Sequence, residues 1–249
     1  MNILITICGR GGSTWVKNKN IRSFLGKPLL YFTIAAARLF KERRPADCVD
    51  IVVSSDSDVI LALVRRFNLA CIQRPAELAG DTTPKLFAIR HALLEMERKP
   101  NRIYDYVIDL DITSPLRQID DIEKALEQLK AQAEVDVVFS AVPARRNPYF
   151  NMVERKEGKM QKIIDGGFTA RQQAPPVYDM NASIYCYRRD SILKKLDHSP
   201  LDSVFDIVVV KDTAVLDIDS EEDFELMEVV AKHFMADGFK EIDAYARTM

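Results

Sequence analysis

Short apolar runs alternate with longer helical segments along the first half of the chain. The apolar runs, which are typical of buried strands, cover residues 2–7, 49–53, 69–72, 106–110 and 135–142. The segments between them predict helices over residues 28–37, 58–67, 83–96 and 119–131. Strands that are apolar on both faces and alternate with helices indicate an α/β fold. The predicted architecture is a Rossmann-like, doubly wound and mainly parallel sheet, covered by helices on both sides.

The pattern changes near Pro143. Residues 145–179 hold turn residues, aromatic residues and charges, and a β-hairpin is predicted on either side of Glu157 and Gly158. We interpret residues 143–179 as an inserted lobe that serves partly the substrate and partly a partner subunit.

Beyond this lobe the chain returns to the strand and helix pattern. Residues 182–187 and 207–210 predict strands, and residues 220–233 predict a terminal helix. Ser220 and Asp223 have the spacing of a capping box, with Asp in place of the usual Glu or Gln. Because the sequence has no repeats and no low-complexity linker, residues 1–249 are predicted to form a single domain.

Composition excludes several classes of protein. At about 150 residues per domain, 249 residues give roughly 1.7 domains, and 47% hydrophobic with 29% charged residues is ordinary for a globular chain. The 35 basic residues are balanced by 37 acidic ones, which argues against a nucleic-acid-binding protein. No apolar run approaches the ~18 residues of a membrane helix, and no signal peptide is predicted. The four cysteines lack a Cys-x-x-Cys pair, which predicts reduced thiols in a cytoplasmic protein.

The first polar cluster follows the first predicted strand, where doubly wound sheets bind ligands. Residues 9–13 read Gly-Arg-Gly-Gly-Ser, and Lys17 and Lys19 follow. Glycines let the backbone approach an anion closely, and the cations add charge. The cluster is neither a P-loop nor a dinucleotide fingerprint. It is consistent with a phosphate site and equally with a tight turn bearing solvated lysines.

A second cluster is acidic. Asp217 and Asp219 project to the same side of an extended segment, because side chains alternate with a period of two. Paired carboxylates near phosphates suit Mg²⁺, which takes one or two protein oxygens and fills its other positions with phosphate and water. The alternative is a pair of solvent-facing acids before a helix.

Three further polar segments are candidates for ligand binding, and the alternative for residues 74–83, Arg171 and Asn181 is a structural surface role. Residues 74–83 form a loop between a strand and a helix, and residues 109–117 end in Thr-Ser-Pro-Leu-Arg. Arg171 suits bidentate pairing with a carboxylate, and Asn181 suits a hydrogen bond to a sugar hydroxyl. The three histidines form no set with a Ser or Cys nucleophile, which argues against a hydrolase.

Taken in this order, the clusters resemble the CMP-acylneuraminate (CMP-sialic acid) synthetases, cytidylyltransferases that act on nine-carbon 2-keto acids. The similar segments are residues 9–13, 19–20, 26–29, 54–58, 74–83, 113–117, 147–149, 171–173, 181–185 and 217–219. The resemblance implies a fold of the nucleotide-diphospho-sugar transferase type and a homodimer whose inserted lobe reaches the neighbouring site. It also implies the substrates CTP and a 2-keto sugar acid, with Mg²⁺ as cofactor. In the implied reaction, the C2 hydroxyl attacks the α-phosphorus of CTP and pyrophosphate leaves.

The resemblance also implies roles for individual residues. The nucleotide-binding set is Arg10, Gly11, Gly12, Ser13, Lys19, Asn20 and Arg74. The sugar-binding set is Asp111, Thr113, Arg171, Gln172, Asn181 and Tyr185. The metal-binding set is Asp217 and Asp219, and the catalytic set is Arg10, Lys19 and Asp217. Either Asp217 or a metal-held water would take the hydroxyl proton.

The sequence departs from the family pattern in the glycine-rich cluster. Thr14 and Trp15 stand where Lys-Gly usually follows, which removes a cation expected near the α-phosphate. Lys17 is close enough along the chain to substitute for it. This departure motivates the alternative of a catalytically silent nucleotide-binding paralogue.

Other departures fall where the sugar is expected. Asp111 and Ile112 replace a common Gln-Pro, Asp179 replaces a frequent arginine, and Ser183 replaces a glycine. These changes in charge and hydrogen bonding favour a deaminated analogue such as KDN, or a legionaminic-type sugar, over N-acetylneuraminate. An eight-carbon KDO cytidylyltransferase is a further alternative.

Overall fold

A seven-stranded sheet forms the centre of the protein, seen in a computed structural model that describes residues 1–12, 16–98, 100, 102–212, 216–234 and 239–249. The strands are β1 (Asn2–Cys8), β2 (Ser23–Phe24), β3 (Lys27–Pro28), β4 (Cys48–Ser55), β5 (Ala70–Gln73), β6 (Tyr106–Leu110), β7 (Val137–Pro143), β8 (Val153–Lys156), β9 (Lys159–Lys162), β10 (Tyr178–Arg188) and β11 (Phe205–Val209). The order in the large sheet is β11-β7-β10-β6-β1-β4-β5. Within the described residues, β10 runs against the common direction of the other six strands. The mainly parallel α/β fold predicted from the sequence is confirmed.

Helices cover both faces of this sheet. They are α1 (Leu29–Glu42), α2 (Asp58–Arg65), α3 (Lys85–Glu97), α4 (Ile119–Ala131), α5 (Arg189–Lys194), α6 (Glu221–Phe234) and α7 (Lys240–Thr248). None of the helices in the described ranges is long and apolar enough to cross a membrane.

Alternate residues of β1 enter two separate cores. Ile3, Ile5 and Ile7 pack on the face that carries α1, α2, α4, α6 and α7. Leu4 and Cys8 pack on the opposite face, against α3 and α5. A strand buried on both faces needs apolar residues at every position, which explains why its sequence is an apolar run without alternation.

The predicted elements agree with the structure in kind and differ at some boundaries. The strand at 106–110 and the helix at 119–131 have the predicted bounds, whereas the strand predicted at 182–187 is longer and begins at Tyr178. The helices α5 and α7 were not predicted from the sequence. The helix α2 is capped by Ser57, whose hydroxyl accepts a long hydrogen bond from the N–H of Ile60 at 3.4 Å.

The predicted hairpin around Glu157 and Gly158 is present as β8 and β9, a separate two-stranded sheet. Both turn residues have positive φ, 51° and 80°, a conformation that glycine adopts at little cost. Every residue of the two strands is exposed. The assignment of residues 143–179 as a substrate and dimerisation lobe stays a prediction.

Candidate active site

A cavity of about 270 Å³ opens at the carboxyl ends of β1 and β6, the edge of the sheet where doubly wound folds bind ligands. It is lined by Cys8, Arg10, Lys19, Asn20, Arg74, Leu78, Ala79, Gly80, Asp81, Thr83, Lys85, Ala88, Asp111, Thr113, Asp217 and Asp219. We call it the charged cavity, because four basic and four acidic side chains are among these residues. Eight of the residues predicted from the sequence line it: Arg10, Lys19, Asn20, Arg74, Asp111, Thr113, Asp217 and Asp219.

The glycine-rich turn packs closely against the start of α2. The N–H of Gly11 donates to Oδ1 of Asp56 at 2.8 Å. A Cβ at Gly11 would lie 2.7 Å from the Cβ of Ser57, closer than side-chain carbons approach each other. Glycine is therefore needed here for close packing within the protein, and its amide is already used by a carboxylate.

The rest of this turn is less constrained where the structure describes it. Gly12 is exposed, and a Cβ there would meet nothing within 4 Å. The predicted nucleotide ligand Ser13 lies outside the described residues, as do Thr14 and Trp15. Their predicted contributions stay predictions.

Arg10 lies on the wall of the charged cavity. Its guanidinium forms an ion pair with Asp81, which belongs to the loop after β5. Its carbonyl accepts a hydrogen bond at 2.9 Å from the side-chain amide of Asn20. The ion pair is solvent-exposed and such pairs contribute only about 0–1 kcal/mol, so Arg10 can exchange Asp81 for an anionic ligand at little cost.

Lys19 connects the N-terminal loop to the acidic segment. It begins a short 3-10 helix, Lys19–Ile21, after Asn18, which has a left-handed φ of 55°. Its ammonium donates to the carbonyl of Ile218 at 2.5 Å and lies 3.6 Å from Oδ1 of Asp219. The cation is thus held between the two predicted metal-binding acids and is mostly buried.

Arg74 is buried behind the cavity wall and is held by the end of β4. Its Nη2 donates to the carbonyl of Ser54 at 2.7 Å, and its Nε donates to the Ser54 hydroxyl at 3.3 Å. The backbone N–H of Arg74 also donates to Ser55 at 2.8 Å. These bonds fix the side chain before any ligand binds.

The carboxyl end of β6 holds a buried ionic cluster. The ammonium of Lys85 lies 2.7 Å from Oδ2 of Asp109 and 2.5 Å from Oδ2 of Asp111. Asp109 also accepts a hydrogen bond at 2.7 Å from the Thr6 hydroxyl, and Asp111 accepts two from Thr113, at 3.2 and 3.1 Å. Burial opposes charge on Lys85, but the two aspartates outweigh it and raise the lysine pKa well above its usual value. Burial likewise opposes charge on Asp111, yet Lys85 keeps the pKa of that carboxyl below its usual value.

Asp217 faces the same cavity from the segment before α6. Burial raises its pKa, and the negative charge of Asp111 adds to the effect. The N–H of Ile218 donates to the carbonyl of Thr113 at 3.2 Å, which ties this segment to the loop after β6. Oδ1 of Asp217 is buried and has no hydrogen-bond partner among the described residues. Asp219 is largely exposed at the cavity mouth.

Arg117, the last residue of the Thr-Ser-Pro-Leu-Arg segment, holds the loop after β6 from inside. Its Nη2 donates to the carbonyls of Asp111 and Ser114, and its Nε donates to the Ser183 hydroxyl at 3.2 Å. Burial lowers its pKa to about 10. Its role in this structure is to shape the loop that carries Asp111.

Four residues of the predicted sugar-binding set do not line the charged cavity. Arg171 donates to the carbonyl of Ala144 at 2.8 Å, and Gln172 is exposed beside it. Asn181 is buried and accepts a hydrogen bond from Ser140 at 2.5 Å. Tyr185 is partly buried within the sheet, and burial raises its pKa to about 12. Tyr185 lies beside Asp109 on the neighbouring strand, behind the cavity floor. The binding roles of all four residues stay predictions.

Sequence reasoning missed Lys85 altogether and did not single out Asp109 within its segment. The signal for Lys85 was its place directly after Thr83 and Pro84, a helix start at the ligand-binding edge. Lys17, the suggested substitute for the missing cation, lines a separate surface depression with Arg22 and does not line the charged cavity.

Among the described residues, no group of three or more histidines, cysteines and carboxylates is arranged to hold a metal ion. The pair Asp217 and Asp219 fits a cation that takes one or two protein oxygens and completes its shell with phosphate and water.

A larger groove, of about 980 Å³, lies at the opposite end of the strands. Arg38, Asp50 and Tyr245 are among its lining residues, and none of the predicted site residues is. Its basic groups are partly committed, since Arg38 donates to the carbonyl of Phe67 at 2.7 Å and Arg102 pairs with Asp50. The charged cavity is therefore the candidate active site.

Comparison with known proteins gives a consistent family. The cytidylyltransferase family profile matches residues 4–235. The chain is 42% identical over 234 residues to the CMP-N,N'-diacetyllegionaminic acid synthase of Campylobacter jejuni, with 91% of this chain and 93% of that protein covered. It is 41% identical over 238 residues to the post-translational flagellin modification protein B of Campylobacter coli, with 92% and 95% covered.

Among solved structures, a CMP:2-keto-3-deoxy-manno-octonic acid synthetase complexed with CTP is similar with a TM-score of 0.68. The similarity covers 94% of this chain and 99% of that one at 15% sequence identity. At this identity the similarity shows a shared fold and gives no information about the substrate.

Proposed function

This chain belongs to the cytidylyltransferase family and is a nucleotidyltransferase, and we propose that it activates a nine-carbon 2-keto sugar acid of the legionaminic type with CTP. The C2 hydroxyl oxygen of the sugar acid attacks the α-phosphorus of CTP. The bond from that phosphorus to the bridging oxygen breaks, and pyrophosphate leaves with the electron pair. The hydroxyl proton passes to the carboxylate of Asp217 or to a water molecule, and the product is the CMP-sugar acid.

The observation that carries this proposal is the grouping of opposite charges in one cavity. Arg10, Lys19 and Arg74 line it together with Asp217 and Asp219, and Lys19 contacts the segment that carries the two acids. Phosphoryl-type transfer depends mainly on positioning and on neutralising charge, and cations placed beside a pair of carboxylates serve both needs.

On the nucleotide side, the three cations have different tasks. Arg10 is exposed enough to leave Asp81 and bind a phosphate oxygen. Lys19 is held near the acidic segment, where it offsets charge on the triphosphate. Arg74 is fixed by Ser54 and presents a rigid surface to the base or ribose.

We propose that Asp217 and Asp219 hold Mg²⁺. The buried Oδ1 of Asp217 has no hydrogen-bond partner in the described part of the chain, and it is a hard oxygen of the kind that Mg²⁺ prefers. When bound, the ion would neutralise negative charge on the phosphates. Lys19, 3.6 Å from Asp219, supports the same end of the triphosphate.

The choice of a legionaminic-type acid rests on two observations. The chain is 42% identical to a CMP-N,N'-diacetyllegionaminic acid synthase over nearly its full length. Asp111, where sialic acid enzymes commonly have Gln, is held ionised beside Lys85, so the cavity floor offers a charged acceptor instead of a neutral amide. The charge at this position therefore differs from that of sialic acid enzymes where the sugar is expected.

We also propose that the enzyme works as a homodimer through the lobe at residues 143–179. Its hairpin exposes Val153, Met160 and the following Ile163 to solvent, which a second copy of the chain would cover. The predicted sugar ligands Arg171 and Gln172 lie on this lobe and would complete the site from one copy or the other.

The test is pyrophosphate release by the purified protein with CTP, Mg²⁺ and a panel of 2-keto sugar acids. The panel contains N,N'-diacetyllegionaminic acid, KDN, N-acetylneuraminate, pseudaminic acid and KDO. We expect the highest kcat/KM with the legionaminic acid. Absence of release with every acid would overturn the proposal, and the highest kcat/KM with KDO would replace the substrate with the eight-carbon class.

The silent-paralogue alternative is motivated by Thr14 and Trp15, which stand where a Lys-Gly pair is usual. The variant Thr14→Lys separates the two functions. A large gain from a near-zero baseline favours the silent protein, whereas a change of a few-fold from substantial activity favours the enzyme.

A further inference from the structure

Lys85 is the first residue of α3, and its side chain reaches the carboxyl end of β6. Its ammonium lies 2.7 Å from Asp109 and 2.5 Å from Asp111. One third of the side-chain surface is exposed, and the residue lines the charged cavity. Lys85 therefore binds two carboxylates within the protein and also faces the space where a substrate would lie.

The hydrogen-bonding capacity of the ammonium is not used up by these contacts. A lysine ammonium has three donors, and one of them donates to Asp111. Asp109 is an ion-pair partner at 2.7 Å, but its Oδ2 accepts no hydrogen bond within the described residues. Even if Asp109 is counted as an acceptor, at least one N–H of Lys85 is available to a ligand in the cavity.

The carboxylate of Asp111 has a free acceptor position that a ligand donor can use. A carboxylate has about four acceptor positions. Lys85 uses one on Oδ2, and the N–H and hydroxyl of Thr113 use two on Oδ1. One position on Asp111 remains, next to the free N–H of Lys85. Asp109 does not compete for a ligand, because it is fully buried and does not line the cavity.

A donor beside an acceptor is complementary to a hydroxyl group, which accepts one hydrogen bond and donates another. A phosphate or a carboxylate would meet Asp111 as a like charge, so this part of the cavity suits neither. We propose that Lys85 and Asp111 together bind a substrate hydroxyl, with Lys85 donating to its oxygen and Asp111 accepting its hydrogen. This inference rests on the proposed function, and the hydroxyl belongs to the ribose of CTP or to the sugar acid.

Three variants isolate the role of Lys85. Lys85→Met removes the ammonium and keeps the length, and Lys85→Arg keeps a charged donor. Lys85→Met leaves the carboxylates of Asp109 and Asp111 without their cation, which can destabilise the fold. The double variant Lys85→Met/Asp109→Asn also removes one negative charge and so reduces the repulsion between them. Lys124→Met is the matched control, since that lysine is exposed and pairs, within the described ranges, only with Asp121 of its own helix. The melting temperature of each variant reports on folding.

The measurements compare substrates that differ by one hydroxyl. Calorimetry gives the Kd for CTP, 2′-deoxy-CTP and 3′-deoxy-CTP, and steady-state pyrophosphate release gives kcat and KM for CTP and for the best sugar acid. We expect unaltered protein to prefer CTP over one deoxy analogue. Lys85→Met and the double variant should lose roughly 10- to 100-fold of that preference, because a charge-assisted hydrogen bond is lost only with CTP. Lys85→Arg should keep more of it, and Lys124→Met all of it.

The outcomes separate the two sources of the hydroxyl. A loss of CTP preference with an unchanged sugar-acid KM supports the ribose. Unchanged nucleotide preference with a sugar-acid KM raised by a similar factor supports the sugar acid. Unchanged nucleotide preference together with an unchanged sugar-acid KM overturns the inference, even where kcat or the melting temperature falls. Normal CTP binding without pyrophosphate release from any sugar acid would overturn the proposed function instead, and the binding data would still decide the role of Lys85.

Discussion

Gly11 and Gly12 are adjacent and chemically identical, yet the protein surrounds them differently. The variant Gly11→Ala would place a Cβ 2.7 Å from Ser57, whereas Gly12→Ala would meet nothing within 4 Å. Overpacking of this kind costs about 1–3 kcal/mol, and a change in open space stays within about 0.5 kcal/mol. We therefore expect Gly11→Ala to lower the free energy of unfolding in urea and Gly12→Ala to leave it unchanged. Equal values for the two variants would contradict the close packing at Gly11.

Lys19 and Lys17 provide a second matched pair, this time for activity. Lys19 lines the charged cavity and is tied to Ile218 and Asp219, whereas Lys17 lines a separate depression. Removing one preorganised positive charge from such a site typically costs about 100-fold in rate. We expect Lys19→Met to lower kcat/KM for CTP by about that factor and Lys17→Met to change it less than about threefold. A large loss in Lys17→Met would mean that Lys17 provides the cation missing at Thr14.

Proximity was predicted better for residues that follow parallel strands than for residues on β10. Arg10, Arg74 and Asp111 each follow a parallel strand, and the carboxyl ends of parallel strands meet at one edge, so their proximity follows from the topology. Asn181 lies on β10, the antiparallel strand, with an irregular register between Met180 and Tyr185. A register shift reverses the face to which side chains point, and no local sequence pattern reveals it.

Whether a helix could be predicted depended on its length and on the regularity of its apolar positions. The helix α4 has thirteen residues with a regular apolar stripe and was predicted with its observed bounds. The helix α5 has six residues and continues directly from β10, so it offers neither a periodic stripe nor a turn signal. Its formation depends on tertiary contacts, which include burial of Ile192 and two hydrogen bonds from Arg90 to its last turn and beyond.

The start of α6 links helix stability to the candidate metal site. The N–H of Ser220 donates to Asp223 at 2.8 Å and the N–H of Asp223 donates back to the Ser220 hydroxyl at 3.1 Å, so the pair forms a capping box. Asp223 also accepts a hydrogen bond at 3.1 Å from the N–H of Asp219. The predicted near-match to a capping box is thus a working cap, and it orients the residue proposed to bind Mg²⁺.

We expect Asp223→Ala to lower the free energy of unfolding by about 1 kcal/mol at pH 7, the usual contribution of a cap. The hydrogen bonds from Ser220 lower the pKa of Asp223 below its usual value. Its stabilising contribution is therefore complete above the unfolded-state pKa of about 3.9 and is lost as the pH falls through the lower folded-state value. Urea unfolding of both proteins at pH 7 and near pH 2.5 measures this. The control is Glu222→Ala, an exposed neighbour, and an effect of Asp223→Ala that stays constant with pH would contradict the capping role.

The net charge of −2 conceals a local concentration of charge. Four basic and four acidic residues line one cavity at the carboxyl edge of the sheet, and several of them are paired. Composition argues against a nucleic-acid partner but gave no information about this arrangement, because the charged residues are brought together by strands far apart in sequence. The fold was predictable from the apolar runs, whereas the cavity required the topology.

The exposed apolar residues on the hairpin of β8 and β9 predict that the protein is a dimer. A two-stranded sheet with every residue exposed is marginally stable in water, and this one carries Val153 and Met160 on one face, with Glu154 and Gln161 paired on the other. We expect light scattering to give a particle of twice the chain mass of 28.3 kDa. Met160→Asp should shift it towards the monomer at micromolar concentration, because association would bury the new charge. Gln161→Asp, on the opposite face, should leave the dimer intact. If the unaltered protein is a monomer, or if both variants dissociate equally, this face of the hairpin is not the dimer contact.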